Sequence, residues 1–283
     1  MISETTLLPP SSGALSSDAL SGLNKDVEIA VISVATAAKR RASVNSMFEG
    51  SGLTWRYFDA HTSLLDTGLT YDIGEVKRRF GRTLSPPEIA VSSSHVAVLR
   101  EFLQHGTAEF ILVLEDDVIF DTDFPLDDFA AFCADKEIDY IRLFSKHYAK
   151  AVWIGFFFDR SIIRYETSPA GAQAYMMSKK GARLFLESFR SIDATVDLAM
   201  DKFWETGLPL YSIFPYPMIE RYSPSSIPMP DQTSELDGAE KAVWNFNRVI
   251  AKAKKIWANI LLTAKDRHMR KQSAAFRQIF DER

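Results

Sequence analysis

Three consecutive acidic residues form the strongest chemical signal in the sequence. Glu115, Asp116 and Asp117 directly follow the continuous apolar run from Phe110 to Leu114. Such a run predicts a buried strand, and open α/β sheets bind ligands beyond the carboxyl ends of their strands. Adjacent carboxylates repel one another, and hard divalent cations prefer carboxylate oxygens. The triplet therefore predicts a Mn²⁺ or Mg²⁺ site that binds a nucleotide diphosphate, with a solvated acidic turn as the alternative interpretation.

Each acidic residue of the triplet has its own predicted role. Alternation along an extended strand places Glu115 and Asp117 on the same side and Asp116 on the other. We therefore expect Asp117 to be the main metal ligand and Glu115 to be the second. Asp116 or Glu115 is expected to accept hydrogen bonds from the ribose of the nucleotide, directly or through water.

Two arginines, an aspartate and a glycine are further candidates for a nucleotide-sugar site. The planar guanidinium groups of Arg40 and Arg41 suit phosphate or uracil oxygens, although a solvated helix face explains at least one of them equally well. Asp59 ends a predicted strand, where it can accept a hydrogen bond from a base or a ribose. Gly171 allows the backbone to approach a sugar closely, and a simple turn is the alternative explanation.

The elements that must position these groups alternate between strands and helices. The apolar run 27–34 predicts a buried first strand, followed by a helix to about residue 48 and a second strand over 55–60. This order is typical of a parallel, Rossmann-like α/β fold, yet no G-x-G-x-x-G motif follows the first strand. Further strands are predicted over 110–114, 140–144, 152–158 and 210–214, and further helices over 86–105, 178–189 and 197–205.

Composition limits the chain to one main domain and excludes several classes of protein. The 283 residues, 46% of them hydrophobic, suffice for one sizeable α/β domain with a small appendage. The single cysteine, Cys133, excludes an intramolecular disulfide framework and is expected in the core, which fits a reducing cytoplasm. No apolar run reaches about 18 residues and no secretory signal is recognised, so a cytoplasmic protein without a membrane span is predicted.

Charge and periodicity divide the chain into three predicted segments: a disordered leader (1–26), the α/β domain (27–240) and a basic helical tail (241–283). The tail carries eleven Lys and Arg against three Asp and Glu, a net charge of +8, which leaves −12 for the rest of a chain whose total is −4. The acidic body disfavours a nucleic-acid partner.

The tail has the pattern of an amphipathic helix. Its predicted apolar stripe consists of Phe246, Val249, Ile250, Ala253, Trp257, Ile260 and Leu261. One interpretation is a helix docked on the domain. The other, which the positive charge favours, is a helix on an anionic membrane, which predicts peripheral binding to the inner face of the cytoplasmic membrane.

Seven separated segments, taken in order, resemble glycosyltransferase family 25, the lipooligosaccharide galactosyltransferase-like group. The resemblance covers roughly residues 27–222. The segments are Val31-Ile32-Ser33 with Lys39-Arg40-Arg41, Phe58-Asp59-Ala60, 84–90 with Ser94-His95, 114–118, Ile141-Arg142-Leu143, 170–182 and Val196-Asp197-Leu198. The chain departs from the family pattern at Glu220-Arg221 and over 149–164, both of which are predicted to face the acceptor.

The resemblance implies a GT-A type fold, with a mixed central sheet flanked by helices, and an inverting reaction. It also implies a UDP-hexose donor, commonly UDP-galactose and sometimes UDP-glucose, a divalent metal at the acidic triplet and an oligosaccharide acceptor. An inverting displacement needs a base near the acceptor hydroxyl, and the match at Asp197 makes that residue the candidate. A simple helix cap is the alternative for Asp197, and Asp193 and Asp201 are alternative bases.

The resemblance also assigns Ser94 and His95 to the donor site, although a lone helical histidine is more often structural. Two rival functions are an inactive saccharide-binding scaffold of the same fold and a metal-dependent phosphoryl-transfer enzyme. The intact acidic residues disfavour the first. The small number of histidines disfavours the second, since two-metal sites need further ligands spread along the chain.

Overall fold

Ten strands and eight helices make up the part of the chain that the computed structural model describes, which is residues 24–65, 67–221 and 236–281, with side chains up to residue 271. Residues 1–23 of the predicted leader lie outside the described residues. The strands are β1 (Val27–Ser33), β2 (Trp55–Asp59), β3 (Phe110–Glu115), β4 (Val118–Phe120), β5 (Tyr140–Arg142), β6 (Ala151–Phe157), β7 (Arg160–Tyr165), β8 (Ala174–Ser178), β9 (Tyr211–Phe214) and β10 (Met218–Glu220). The helices are α1 (Ala38–Phe48), α2 (Ile73–Phe80), α3 (Pro86–His105), α4 (Leu126–Asp135), α5 (Lys179–Ser188), α6 (Val196–Met200), α7 (Phe203–Thr206) and α8 (Gly238–Asp281).

Eight strands form one mixed sheet in the order β2-β1-β3-β8-β5-β9-β7-β6. β1 pairs in parallel with β2 and β3, as the strand–helix–strand order predicts, whereas β8 is antiparallel to both β3 and β5. The carboxyl ends of β1, β2, β3, β5 and β9 therefore lie along one edge of the sheet. β4 and β10 form a separate antiparallel ribbon that begins directly after the acidic triplet. The predicted α/β class with a mixed central sheet is confirmed.

The sheet is apolar on both faces because helices cover both. Along β3, Ile111 and Val113 pack into the cluster that contains residues of α3 and α5, whereas Leu112 and Leu114 pack into the cluster that contains residues of α1 and α4. A strand buried on both faces reads as a continuous apolar run. Cys133 of α4 is fully buried in the second cluster, which confirms the prediction that it is a core residue.

Helix α8 docks on the domain through both polar and apolar contacts, the apolar ones including Leu262 and Met269. The Arg164 guanidinium on β7 donates from Nε to Asp266 Oδ2 at 2.7 Å, and both side chains are fully buried. Arg164 Nη1 also donates to Asn259 Oδ1 at 2.8 Å. Nearer the start of the helix, Trp244 packs so closely on Gly81 that a Cβ there would lie 2.7 Å from the indole. The docked-helix interpretation of the tail is therefore correct for one face of α8.

The opposite face of α8 exposes the predicted apolar stripe. Phe246, Val249, Trp257, Ile260 and Leu261 each expose more than half of their side-chain surface. Successive positions are three, eight, three and one residues apart, which at 3.6 residues per turn places all of them on one side of the helix. No helix among the described residues is both long and apolar enough to cross a bilayer.

Helix α3, which supports the acidic edge of the sheet, begins with a capping box. The Glu88 carboxylate accepts hydrogen bonds from the Ser85 backbone N–H at 2.8 Å and from Arg82 Nη2 at 2.7 Å. Burial alone would raise the pKa of Glu88, but the hydrogen bonds from Arg82 and Ser85 and the charge of Arg82 hold its pKa below the ordinary value. The ionised form of Glu88 therefore stabilises the start of α3.

We predict that Glu88→Gln lowers the free energy of unfolding by about 1–2 kcal/mol at pH 7. Because the folded-state pKa of Glu88 is lowered, its contribution is complete above the ordinary glutamate pKa and is lost as the pH falls through the folded value. Urea denaturation of both proteins at pH 7 and in acid measures this difference. Glu187→Gln, at an exposed position of α5, is the matched control, and a pH-independent Glu88→Gln effect would contradict the prediction.

Candidate functional site

Glu115 ends β3 and is held by its backbone and by a buried histidine. Its backbone N–H donates to the Gln173 carbonyl at 2.8 Å, and its Oε1 lies 3.5 Å from His95 Nε2. His95 Nδ1 in turn lies 3.1 Å from the Tyr175 hydroxyl. His95 is buried on α3, so it contacts Glu115 from the protein interior. His95 is thus brought to the acidic site as a neighbour of Glu115, and its assignment to the donor remains a prediction.

Both oxygens of the Asp116 carboxylate are bound by protein groups. Asp116 Oδ2 accepts from the Ser33 hydroxyl at 2.7 Å, and Oδ1 accepts from Arg40 Nη1 at 2.9 Å. Asp116 is buried, so these contacts tie the turn after β3 to the end of β1 and the start of α1. Asp116 and Arg40 consequently neutralise each other within the protein.

The acidic triplet does not continue as a strand. β3 ends at Glu115, and Asp116 and Asp117 form a turn before β4. The alternation that we used to group Glu115 with Asp117 requires extended backbone throughout, so that reasoning was wrong for the second and third residues. The turn instead gives each carboxylate its own surroundings.

One carboxylate oxygen of Asp117 has no partner among the described residues. Its Oδ1 is buried and accepts no hydrogen bond from any residue that the structure describes. Burial, followed by the charge of Glu115, raises the pKa of Asp117 to about 7, with Asp116 and Glu220 adding to the shift and Arg40 opposing it. A buried carboxylate oxygen without a partner is costly, so a cation or donor from outside the chain would stabilise it.

The donor set fits a hard divalent cation that also binds phosphate. Among the described residues, no group of three or more His, Cys, Asp or Glu is arranged to hold a metal ion. Mg²⁺-like ions in phosphate sites typically use only one or two protein carboxylates and take the remaining ligands from water and phosphate. Asp117 and Glu115 match that smaller ligand set, and the unpartnered Asp117 Oδ1 is the atom that fits a cation.

Arg41 and Asp59 meet at the ends of β1 and β2. Arg41 Nη2 donates to the Asp59 carboxylate and, at 2.9 Å, to the Ser33 carbonyl. The guanidinium also lies over the Tyr57 ring, 4.4 Å from its centroid. The Asp59 carboxylate remains largely exposed. These two predicted donor residues are therefore neighbours at the carboxyl edge, next to Ser33, which binds Asp116.

The Ser94 hydroxyl is used inside the protein. It donates to the Ala90 carbonyl and accepts from the His61 backbone N–H, both at 2.9 Å. The neighbouring Ser93 hydroxyl lies 2.8 Å from His61 Nδ1. The two serines thereby fix the loop after β2 against α3, and a direct contact of Ser94 with the donor remains a prediction.

Asp197 and Gly171 are in direct contact. Gly171, whose φ is +86°, donates its backbone N–H to Asp197 Oδ2 at 2.9 Å. Burial alone would raise the pKa of Asp197, but hydrogen bonds from Thr195, Gly171 and the Leu198 backbone, with the charge of Arg142, lower it. Asp197 therefore lies at the start of α6, as predicted, and is ionised at neutral pH.

Buried Arg142 organises this part of the site. Its Nη1 donates to the Gly171 carbonyl, and its Nη2 donates to the Asp197 carbonyl at 3.0 Å and lies 2.6 Å from Asp201 Oδ1. Asp201 is thus committed to Arg142. Asp193, the other alternative base, lies 2.9 Å from Arg79 and 2.7 Å from Lys202. Of the three acids considered as the base, Asp197 is the one in contact with Gly171.

Four residues at this edge differ from the sequence predictions: Ser33, Arg142 and Gln173 had no predicted role, and Glu220 was predicted only to face the acceptor. The first three lie in segments that carry the family resemblance, which marked them as part of the family pattern without indicating a role. Glu220 lies in β10, opposite Val118 of β4, and this pairing brings it near Asp117. The β4–β10 ribbon pairs residues that lie about one hundred positions apart in the sequence. Local sequence patterns do not predict such a pairing.

Comparisons with known proteins show the family to which the chain belongs. The family model described as glycosyltransferase family 25 (LPS biosynthesis protein) matches residues 26–202. The lacto-N-neotetraose biosynthesis glycosyltransferase LgtE of Neisseria meningitidis serogroup B is 27% identical over 201 residues, which cover 65% of this chain and 71% of that protein. LgtE of Neisseria gonorrhoeae is 26% identical with the same coverage. LgtB of N. meningitidis serogroup B is 26% identical over 211 residues, covering 65% of this chain and 72% of LgtB.

Two of the solved structures that match resemble the chain only weakly. A glycosyltransferase involved in the glycosylation of the major capsid of PBCV-1 has a TM-score of 0.29 and 12% identity, covering 56% of this chain and 62% of that one. The A197 protein from STIV has a TM-score of 0.37 and 11% identity, covering 73% of this chain and 98% of that one. Scores this low support no conclusion about the site.

We predict that Asp117→Asn stabilises the metal-free protein by about 1 kcal/mol while leaving the fold intact. The substitution removes one charge from a cluster of acids, and functional sites commonly hold such destabilising groups. Thermal melting in the presence of a chelator measures the change. Asp128→Asn, at an exposed position of α4, serves as the control, and a lower melting temperature for Asp117→Asn would contradict the prediction.

Proposed function

Because the chain belongs to glycosyltransferase family 25, we propose that it moves a hexose, galactose or glucose, from a UDP-hexose to a bacterial lipopolysaccharide, lipooligosaccharide or other surface saccharide. We propose further that the anomeric configuration of the hexose is inverted. The single observation that carries the proposal is the buried, unpartnered Asp117 Oδ1 at the carboxyl end of β3. The names of the Neisseria relatives support the acceptor class.

Asp117, with Glu115 beside it, is proposed to hold Mn²⁺ or Mg²⁺ against the diphosphate of the donor. A bound divalent ion supplies positive charge that offsets the charge of the departing UDP. Asp116 is already neutralised by Arg40, so its proposed contribution to the donor is to fix the turn that presents Asp117. A ribose hydroxyl reaching Asp116 would have to share an oxygen with Ser33 or Arg40.

Arg41 and Asp59 are proposed to bind the nucleoside end of UDP. The Arg41 guanidinium is oriented by Asp59 and by the Tyr57 ring, so it can meet a uracil or phosphate oxygen with little loss of rotamer entropy. The exposed part of the Asp59 carboxylate can accept from a ribose hydroxyl or from the uracil N–H. Their position beside Ser33 supports a donor that extends from this corner of the sheet towards Asp117.

Asp197 is proposed to take the proton from the acceptor hydroxyl as that oxygen attacks the anomeric carbon. Its lowered pKa keeps it ionised, so it is ready to accept a proton at neutral pH. The Gly171 N–H and the Arg142 network fix the carboxylate relative to β8, whose first residues follow Gly171. The same contacts make it a weaker base, so its contribution is to position the hydroxyl as well as to accept its proton.

The two rival functions are less well supported. An inactive scaffold has no need to keep a buried, unpartnered carboxylate oxygen such as Asp117 Oδ1, since such a group destabilises the fold. Two-metal phosphoryl transfer needs more ligands than the described residues bring together.

Thermal melting and a transfer assay test the proposed reaction. With Mn²⁺ present, UDP-hexose at one hundred times its Kd should raise the melting temperature of the natural chain by about 5–10 °C. Asp117→Asn should lose the Mn²⁺-dependent part of this shift. Asp197→Asn should keep the shift but lose about 10²–10⁴-fold in transfer rate, because it removes the proton acceptor.

Two outcomes of these assays would contradict the proposal. Full transfer activity in Asp117→Asn would exclude the metal site, and an α-linked product from an α-linked UDP-hexose, read by NMR, would exclude inversion. Asp128→Asn is the control for both aspartate variants.

We also propose that the exposed apolar stripe of α8 binds an anionic membrane surface. The stripe lies opposite the face that docks on the domain, so the domain cannot cover it. Lys252, Lys254 and Lys265 belong to the same helix, which supports attraction to anionic headgroups. This arrangement would hold the transferase at the surface where lipid-linked saccharides are made.

Vesicle co-sedimentation tests the membrane proposal. The natural chain should bind vesicles that contain phosphatidylglycerol more tightly than neutral phosphatidylcholine vesicles, and less tightly at high salt. Changing Phe246 and Trp257 together to serine should weaken binding at least tenfold, since each buried aromatic side chain contributes about 1.5–3 kcal/mol. Leu65→Ser, at a half-exposed site away from α8, is the control. Unchanged vesicle binding, with altered self-association in the ultracentrifuge, would reassign the stripe to a second copy of the chain.

A further inference from the structure

Gln173 is a buried polar side chain inside the candidate site that no step of the proposed reaction uses. It precedes β8, and its carbonyl accepts from the Glu115 backbone N–H at 2.8 Å. Only 7% of its surface is exposed. Its Nε2 donates to Glu220 Oε1 at 3.4 Å, whereas its Oε1 is buried and has no partner among the described residues. The NH₂ group of the amide therefore has a hydrogen-bond partner, whereas its oxygen has none among the described residues.

Glu220 determines which way the Gln173 amide points. An ionised carboxylate only accepts hydrogen bonds, so the NH₂ group must face Glu220 and the amide oxygen must face away from it. Turning the amide over would bring two acceptors together. The network thus turns an acceptor, not a donor, towards Gly171.

The Gln173 oxygen points towards the turn that contacts Asp197. A Cβ at Gly171 would lie 2.5 Å from Gln173 Oε1, so a glycine is what leaves room for this oxygen. The Gly171 N–H binds Asp197, and the Gln173 carbonyl binds the backbone of Glu115. Gln173 consequently lies between the acid proposed as the base and the acids proposed to hold the metal. In the proposed reaction the transferred sugar lies between those two groups.

We infer that Gln173 Oε1 accepts a hydrogen bond from a hydroxyl of the transferred hexose and so selects the donor sugar. This inference rests on the proposed function. A buried amide oxygen requires a donor, and a neutral sugar offers hydroxyl donors in a site that already contains several carboxylates. Sites built to bond a particular hydroxyl discriminate strongly against analogues that lack it, because the polar group of the protein is then left unpaired. Glu220 acts as a positioning residue for the amide.

The test pairs Gln173→Met with a series of deoxy-UDP-hexoses. Methionine keeps the length of the side chain but removes both polar amide atoms. We expect affinities for UDP and Mn²⁺, measured by calorimetry, to stay within twofold of those of the natural chain. The value of kcat/KM for the complete UDP-hexose should fall about tenfold. The natural chain should reject one deoxy analogue, whereas Gln173→Met should not distinguish it from the parent sugar, as in a double-mutant cycle.

Two further variants complete the design. Gln104→Met, at an exposed position of α3, is the matched control and should behave as the natural chain does. Glu220→Gln, at an exposed position of β10, should lose part of the discrimination because the amide of Gln173 is no longer oriented.

Three results would overturn the inference. If Gln173→Met still rejects the same deoxy sugar as strongly as the natural chain does, another residue binds that hydroxyl. Weaker Mn²⁺ binding in the absence of any nucleotide makes Gln173 a metal ligand instead. A natural chain that binds UDP-hexose no better than UDP and transfers nothing overturns the proposed function together with this inference, whereas the first two results leave the proposed function standing.

Discussion

Mutual repulsion among acids at the end of β3 is the constraint around which the edge of the sheet is arranged. Glu115, Asp116, Asp117 and Glu220 lie close enough for their charges to shift the pKa of Asp117. The protein answers part of that charge by bringing Arg40 to Asp116, and this contact requires α1 to begin directly after β1. No described residue donates a hydrogen bond to Asp117 Oδ1. The folded protein therefore keeps unfavourable electrostatic energy at Asp117 Oδ1. A positively charged ligand bound there would lower that energy.

Much of the architecture follows from hydrophobic patterning alone. The run Phe110 to Leu114 reads as a central strand because both of its faces are covered, and the stop of that run places the acids at the carboxyl edge. What the pattern could not show is the turn at Asp116 and Asp117, since it depends on Ser33, more than eighty residues earlier in the chain. The contact between Gln173 and Glu220 could not be predicted for a similar reason, because it depends on the pairing of β4 with β10.

The tail shows that an amphipathic helix can dock through the face opposite its apolar stripe. The apolar positions of α8 were expected to mark the docked side if the helix was docked at all. The docked side instead uses Asn259, Asp266 and Trp244, of which two are polar and give no hydrophobic signal. A buried ion pair is invisible to hydropathy because its energy comes from matching two specific residues, Arg164 and Asp266, across a distance of about one hundred positions.

That ion pair also determines where the independently folding part of the protein ends. Arg164 is on β7, inside the main sheet, and its countercharge is supplied by α8. A chain cut before the helix would lose this ion pair and would expose Arg164 together with the core surface that Leu262 and Met269 cover. Whole domains are stable by only about 5–15 kcal/mol, so the long helix is part of the folded domain that carries the candidate site. The ion pair also fixes which face of the helix is turned towards the sheet.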